Sequence, residues 1–280
     1  VPRDLLRVLE FYSFVADNYA PFYSRPVECT DRDAPFVLDG VLYHESDLDL
    51  EEHYTDTHGY TEINFAAFGM VGMRFCPRIR SLHRQRIYCA DPARDHGVLE
   101  PVLKRGRAVN FRLIAEQWDR IGQFYAAFPA GHATASAALQ RLNRFQASNR
   151  FYAANRELGR ALKTEFVLQY MSEPQLRAKV RRGLLKVEQL HALARAVYYG
   201  QRGRISAREV YDQMNACSCL TLILACIVYW QAREISRLVA APDFPFEPDL
   251  LRHVSPIEWK NVVLYGEIKI DPAKLKMRRP

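Results

Sequence analysis

Hydrophobic and polar positions change rhythm along this chain. Up to about Pro77 the apolar residues come in short, partly alternating runs broken by Pro21, Gly59 and Pro77. This part predicts a short helix over Leu5–Phe11, then strands over Tyr12–Tyr19 and Phe22–Cys29 that form a hairpin. A helix ending near Leu42 follows, capped by Asp31 and Asp33 and weakened by Gly40. Next come a strand over Glu51–Asp56, a helix over Tyr60–Phe68 and a strand over Met70–Cys76. Beyond Arg78 the apolar residues recur at helical spacing, which predicts helices over Phe111–Phe128, Ala133–Phe145, Phe151–Met171 and Pro174–Arg182. Another helix covers Gly183–Gly200, with an apolar stripe of Val187, Leu190, Ala194, Val197 and Tyr198 that leaves Glu188 off the core face. Cys217–Trp230, continuing through Leu238, reads as a long buried helix, because the apolar run Ala216–Trp230 falls short of the roughly 20 residues a membrane span needs. Leu250–Leu264 closes the chain with a helix and a strand-like segment, ahead of a basic tail.

Strands and helices together make this an α/β chain. With 49% apolar and 25% charged residues, its composition is that of an ordinary soluble globular protein, and 280 residues suffice for one large domain with an insertion. The net charge of +7 suggests a polyanionic partner. That figure hides a division. Met73–Ile205 holds 25 Lys/Arg against 9 Asp/Glu, whereas Asp31–Asp56 holds 9 acids and one arginine. A basic excess spread over several helices favours binding to a phosphate backbone. The six cysteines have irregular spacing and give no disulfide framework, which implies a reducing compartment. Cys217, Cys219 and Cys226 lie on one helix at spacings that cannot bring three sulfurs to one ion, so core packing is expected of them.

Two acids carry the candidate chemistry. Asp56 ends a predicted strand, where open α/β sheets place their reactive groups, although aspartate there is also a common turn former. Glu188 sits on a polar helix face near His191, Arg195 and Arg181. It reads either as an exposed ion-pair residue or as a metal-binding carboxylate facing a phosphate-lined groove.

A family enters through particular runs. Asp39-Gly40-Val41-Leu42-Tyr43-His44-Glu45-Ser46-Asp47, Glu51-Glu52-His53-Tyr54-Thr55-Asp56-Thr57 and Arg74-Phe75-Cys76-Pro77-Arg78-Ile79-Arg80 resemble the catalytic core of transposases from replicative, cointegrate-forming bacterial transposons of the Tn-three family. So do Arg156-Glu157-Leu158-Gly159-Arg160, His191-Ala192-Leu193-Ala194-Arg195-Ala196 and Leu251–Trp259, and the likeness runs from about Ser13 to Gly266. The resemblance implies a ribonuclease-H-like α/β fold with an Asp, Asp, Glu triad holding two Mg2+ ions, with Mn2+ as a substitute. Asp56 matches the second aspartate and Glu188 the glutamate, and both would be catalytic and metal-binding residues. It further implies cleavage of phosphodiesters and strand transfer, double-stranded DNA (transposon ends and target) as the partner, a homodimer, no membrane association, and the bacterial cytoplasm at the nucleoid. Arg74, Arg78, Arg80, Arg181, Lys186 and Arg195 become the candidate DNA contacts.

On this reading residues 12–77 form the ribonuclease-H-like part with Asp56, 78–182 a basic all-helical insertion, 183–266 the closing helices with Glu188, and 267–280 a basic tail. The family's first aspartate, in a Ser-Asp-Gly-Gln setting, has no counterpart here, and Asp4 and Asp17 stand in the wrong context. The expectation is therefore a sheet without its first strand, truncated at its N-terminus and inactive alone. The alternative is a non-catalytic DNA-binding remnant able to compete with an intact transposase.

Overall fold

An aromatic-rich hairpin opens the computed structural model, which describes residues 9–28, 35–57, 60–145, 149–198, 209–244 and 247–260. Strand β1 (Leu9–Val15) pairs antiparallel with β2 (Pro21–Glu28), Ser13 opposite Ser24, with an irregularity between Phe14 and Val15. Leu9–Phe11 therefore belong to a strand and not to the expected helix, whose first residues lie outside the described ones. Phe11, Tyr12, Phe14 and Val15 have the shapes that suit a pleated, half-buried surface, and the pairing with β2 extends that preference backwards.

Helix α1 (Val37–Leu42) has Phe36 at its N-cap and no side-chain cap, so the expected aspartate cap is absent; Asp31 and Asp33 lie outside the described residues. Gly40 does not weaken this helix without return. A Cβ there would stand 2.2 Å from the Phe14 ring, so the glycine lets the hairpin lie against α1. Asp39 on the same helix is 1% exposed, forms an ion pair with Arg25 of β2 and accepts the Ser136 backbone N–H at 2.8 Å. A buried carboxylate needs such partners, and here they join three elements.

The central unit is β3 (Glu52–Thr55), α2 (Glu62–Met70) and β4 (Arg74–Pro77), with β3 and β4 parallel and Glu52 opposite Arg74. Thr61 caps α2 by accepting the Asn64 N–H at 3.2 Å. Phe68 stacks on Phe75 with centroids 4.5 Å apart, and Phe65 meets Phe75 edge to face at 5.1 Å. Burying each ring contributes roughly 1.5–3 kcal/mol.

Beyond β4 the chain is not wholly helical, in contrast to the all-helical insertion expected over 78–182. Strand β5 (Ile87–Cys89) pairs with β6 (Leu103–Ala108), and only then come α3 (Phe111–Ala126), α4 (Ala135–Asn143) and α5 (Arg150–Ser172). Phe166, Val167 and Tyr170 of α5 share one core with Phe65, Phe75 and Tyr125. The helices expected over Pro174–Arg182 and Gly183–Gly200 are one helix, α6 (Pro174–Val197), because Gly183 lies against Tyr54 instead of ending the turn. The fold is mixed α/β, with three two-stranded sheets and seven α-helices among the described residues.

Helix α7 (Val210–Val239) overturns its reading as a buried helix. Cys217, Leu224 and Val228 are buried, but Leu222, Tyr229 and Trp230 are 65%, 65% and 52% exposed. Cys219 and Cys226 are exposed too, so only one of the three cysteines packs in the core. By length and composition alone, Tyr211–Val239 reaches the size needed to cross a membrane, which the count over Ala216–Trp230 had missed. The basic tail 267–280 lies outside the described residues.

Close approach of α5 to α2 depends on Gly159, where a Cβ would meet the Glu62 carbonyl oxygen at 1.7 Å. Gly159→Ala should cost about 1–3 kcal/mol through this overpacking. Gly122→Ala, with nothing within 4 Å of the new atom, should be neutral or stabilising by up to ~1 kcal/mol. Urea unfolding of the two variants checks the contrast.

Candidate functional site

Strand alternation sends Glu52, Tyr54 and Asp56 to one side of β3 and His53 and Thr55 to the other. The polar side faces α6. Gly183 brings the helix axis down onto the Tyr54 ring, where a Cβ would stand only 2.7 Å away. One turn before it, Lys179 reaches Glu52 at 2.7 Å, and Arg74 of β4 reaches the same carboxylate at 3.1 Å. Tyr54 Oη also donates to Glu52. Burial pushes the Glu52 carboxyl up, but Lys179, Tyr54 and Arg74 outweigh it and hold the group below the usual carboxylate range. In turn, burial and the neighbouring Glu52 carboxylate push the Tyr54 phenol well up.

Past Gly183, α6 contributes Lys186, Glu188 and His191 to the lining of the same cavity. Just past the end of β3, the Arg78 N–H donates to the Thr55 carbonyl at 2.8 Å, and Thr57 Oγ1 donates to the Arg78 carbonyl at 3.2 Å. These bonds hold the segment bearing Asp56 beside the end of β4. Asp56 and Glu188, 132 residues apart in sequence, line a single cavity of about 700 Å³. Its wall carries six carboxylates, Asp17, Asp49, Glu51, Glu52, Asp56 and Glu188, against the cations Arg78, Lys179 and Lys186. In a chain of net charge +7 this is an acidic hollow, and its hard oxygen donors suit a hard cation such as Mg2+ in kind. Among the described residues, however, no group of three His, Cys, Asp or Glu side chains is placed to hold one metal ion.

The six cationic candidates separate. Arg78 and Lys186 line the cavity. Lys186 is nevertheless engaged, since its Nζ donates to the Asp17 carbonyl at 2.8 Å and carboxylate at 2.9 Å and lies 4.9 Å from the Tyr19 ring centre. Arg74 is taken up by Glu52 and by Gln169 Oε1 at 2.7 Å. Arg80, Arg181 and Arg195 are exposed. Sequence reasoning did not single out the Glu52 knot, the Asp17 latch or the contact at Gly183. Only the first had a local signal, the period of two that puts Glu52 beside Tyr54 and Asp56 on one strand face.

His191 lines the cavity with its protonation opposed: burial and then Arg195 lower its affinity for a proton, against the pull of Glu188. His53 lies on the other face of β3, its ring 5.5 Å from Phe68 and 5.6 Å from Phe14. Its Nε2 is buried without a hydrogen-bond partner among the described residues, and burial lowers its pKa to about 4.

Comparison with known proteins places these residues in context. The family model described as "Tn3 transposase DDE domain" matches residues 5–268. The transposase for transposon Tn1546 of Enterococcus faecium is 35% identical over 266 residues, covering 94% of this chain and 27% of the relative. The transposase for transposon Tn501 of Pseudomonas aeruginosa is 38% identical over 261 residues, covering 92% and 26%. The transposase for transposon Tn21 of Escherichia coli is 36% identical over 279 residues, covering 96% and 28%. The chain thus spans about a quarter of the length of the relatives it matches.

His53 makes stability pH-dependent. Its folded pKa lies below the unfolded value of 6.5, so its contribution is complete above about pH 6.5 and is lost as pH falls towards about 4. The loss amounts to roughly 3 kcal/mol. Chemical denaturation of His53→Phe between pH 8 and 4.5 should show a flatter profile than the wild type, with the two curves diverging below pH 6.5. Parallel curves contradict this account.

Proposed function

The chain belongs to the Tn3 transposase DDE domain family, and from that premise we propose that it is the part of a DNA transposase that performs metal-dependent phosphodiester cleavage and strand transfer. The observation that carries this reading is the meeting of Asp56 and Glu188 in one cavity across 132 residues of sequence. The β3–α2–β4 crossover and the β1–β2 hairpin fit a ribonuclease-H-like sheet. Residues 78–182 then form the insertion that separates Asp56 from Glu188, and 183–266 return the chain to the core.

Asp56 and Glu188 are the catalytic carboxylates in this proposal, with Mg2+ as the natural ion and Mn2+ as its substitute. Divalent ions bound there supply charge stabilisation to the entering and leaving oxygens of an in-line displacement. The chain's own part is to present oxygen donors from a strand end and a facing helix, and to hold the scissile phosphate with cations at the cavity mouth. The proposal gives that role to Arg78, which lines the cavity, together with the exposed Arg181 and Arg195 of α6. The partner is double-stranded DNA, both transposon ends and target, acted on by a homodimer in the bacterial cytoplasm at the nucleoid.

A second reading has an observation of its own. Since no group of three potential ligands is placed to hold one metal ion among the described residues, the chain in this reading binds DNA without cutting it and competes with an intact transposase. Titration of the chain with Mn2+, followed by water-proton relaxation, separates the two readings. Asp56→Asn or Glu188→Gln should weaken binding by about tenfold or more, since even losses outside the ligand shell cost that much. Binding unaffected by both substitutions overturns the carboxylate assignment, and DNA binding that persists without any Mn2+ binding favours the second reading.

A further inference from the structure

The cavity that holds Asp56 and Glu188 is acidic, and a phosphodiester approaching it is repelled unless cations at the rim neutralise its neighbours in the strand. The segment leaving β4 provides one, Arg78, in the cavity lining and carries further cations beyond it. Arg78-Ile79-Arg80-Ser81-Leu82-His83-Arg84-Gln85-Arg86 contains four arginines and a histidine in nine residues and no acid. Its path is set by apolar anchors. Ile79 is buried, Leu82 packs on the main core, and Ile87 ends the segment at 2% exposed. With Ile79 turned inward, Arg78 and Arg80 turn outward, and Arg84 and Arg86 are exposed as well.

The loop is also held internally. Ser81 adopts a left-handed conformation with φ of 52°, the Arg84 N–H donates to the Ser81 carbonyl at 2.8 Å, and Gln85 Nε2 donates to the Arg80 carbonyl at 3.2 Å. At its start, Arg78 lines the cavity beside Asp56. The arginines differ from Arg74 and Lys186 in what they touch: among the described residues no carboxylate forms an ion pair with Arg80, Arg84 or Arg86. Arg86 folds back onto the carbonyls of Gln85 and His83, at 3.1 and 3.5 Å. Arg80 and Arg84 therefore remain as the outward pair.

We propose that the Arg78–Arg86 loop is a phosphate-contacting track for duplex DNA, with Arg80 and Arg84 gripping the backbone of the strand that Arg78 leads to the Asp56–Glu188 cavity. The proposal rests on the DNA-transposase reading above and assigns the loop as its DNA surface. Guanidinium groups suit the task because each presents several N–H donors in a fork that matches a phosphate. A loop already pinned by Ile79, Leu82 and its own hydrogen bonds loses little freedom on binding.

The test measures the affinity of the full chain for a fluorescently labelled DNA duplex by anisotropy across a range of NaCl concentrations. The expected result is that Arg80→Ala with Arg84→Ala lowers the slope of log K against log [NaCl] by about two, one for each phosphate that is no longer neutralised. Arg80→Lys with Arg84→Lys keeps both charges and should return the slope to the wild-type value. Arg233→Ala with Arg237→Ala on α7 removes equal charge elsewhere and should leave the slope unchanged. If the loop pair lowers the slope no more than the α7 pair while the wild type binds in a salt-dependent way, the track is overturned and the transposase reading stands. If the wild type binds no duplex DNA at any salt concentration, both fall together.

Discussion

Helix α6 can lie on β3 only where it has no side chain. At Gly183 the helix passes so close to the Tyr54 ring that a single added carbon would stand 2.7 Å from it. The polar residues that α6 brings to the cavity lie on either side of that contact. Lys179, one turn earlier, meets Glu52 at 2.7 Å, and Glu188, more than a turn later, comes to line the same hollow as Asp56. Glycine within a helix costs about 1 kcal/mol against alanine, and here that cost is offset by the registration of helix against strand. Gly40 against Phe14 and Gly159 against the Glu62 carbonyl repeat the device at two other contacts. Three elements approach their neighbours through positions that lack a Cβ.

Charge is the second organising constraint. The acids of the first part of the chain and the bases of the later part do not stay apart in the fold. Glu52 is held by Lys179 and Arg74, Asp17 by Lys186, and Glu62 by Arg156 and Arg160. For Glu62, burial raises the carboxyl pKa, but Arg160 and Arg156 outweigh it and hold the group ionised. A share of the basic excess thus goes into binding the chain to itself. Cations left over on the surface, among them those in the loop after β4 and on the outer face of α6, have charge to offer a phosphate backbone.

Side chains of β3 show how a single strand serves both demands. Its outward residues, Glu52, Tyr54 and Asp56, belong to the polar hollow, while His53 is clamped among aromatic rings with a buried nitrogen that has no partner among the described residues. Helix α7 takes no part in the polar hollow. It contributes Cys217, Leu224 and Val228 to burial and leaves a row of apolar side chains exposed, including Leu222, Tyr229 and Trp230.

Local pattern alone determined a good part of this protein. The α/β class, the hairpin, the succession of β3, α2 and β4, Asp56 at a strand end and Glu188 off a helix's apolar stripe all follow from spacing and turn residues, which act over a few positions. The motif runs around Asp56 and His191 carried the family. What packing alone decided involves partners distant in the chain. Gly183 reads as a helix break until Tyr54 lies beneath it. Arg74 and Lys186 read as DNA contacts until Gln169 and Asp17 reach them, 95 and 169 residues away. The apolar run in α7 reads as buried until the fold leaves its face uncovered. Periodicity states which side of an element is apolar. Which neighbour arrives to cover it, or to take up a charge, is set by the sum of long-range contacts, and no window along the sequence contains that sum.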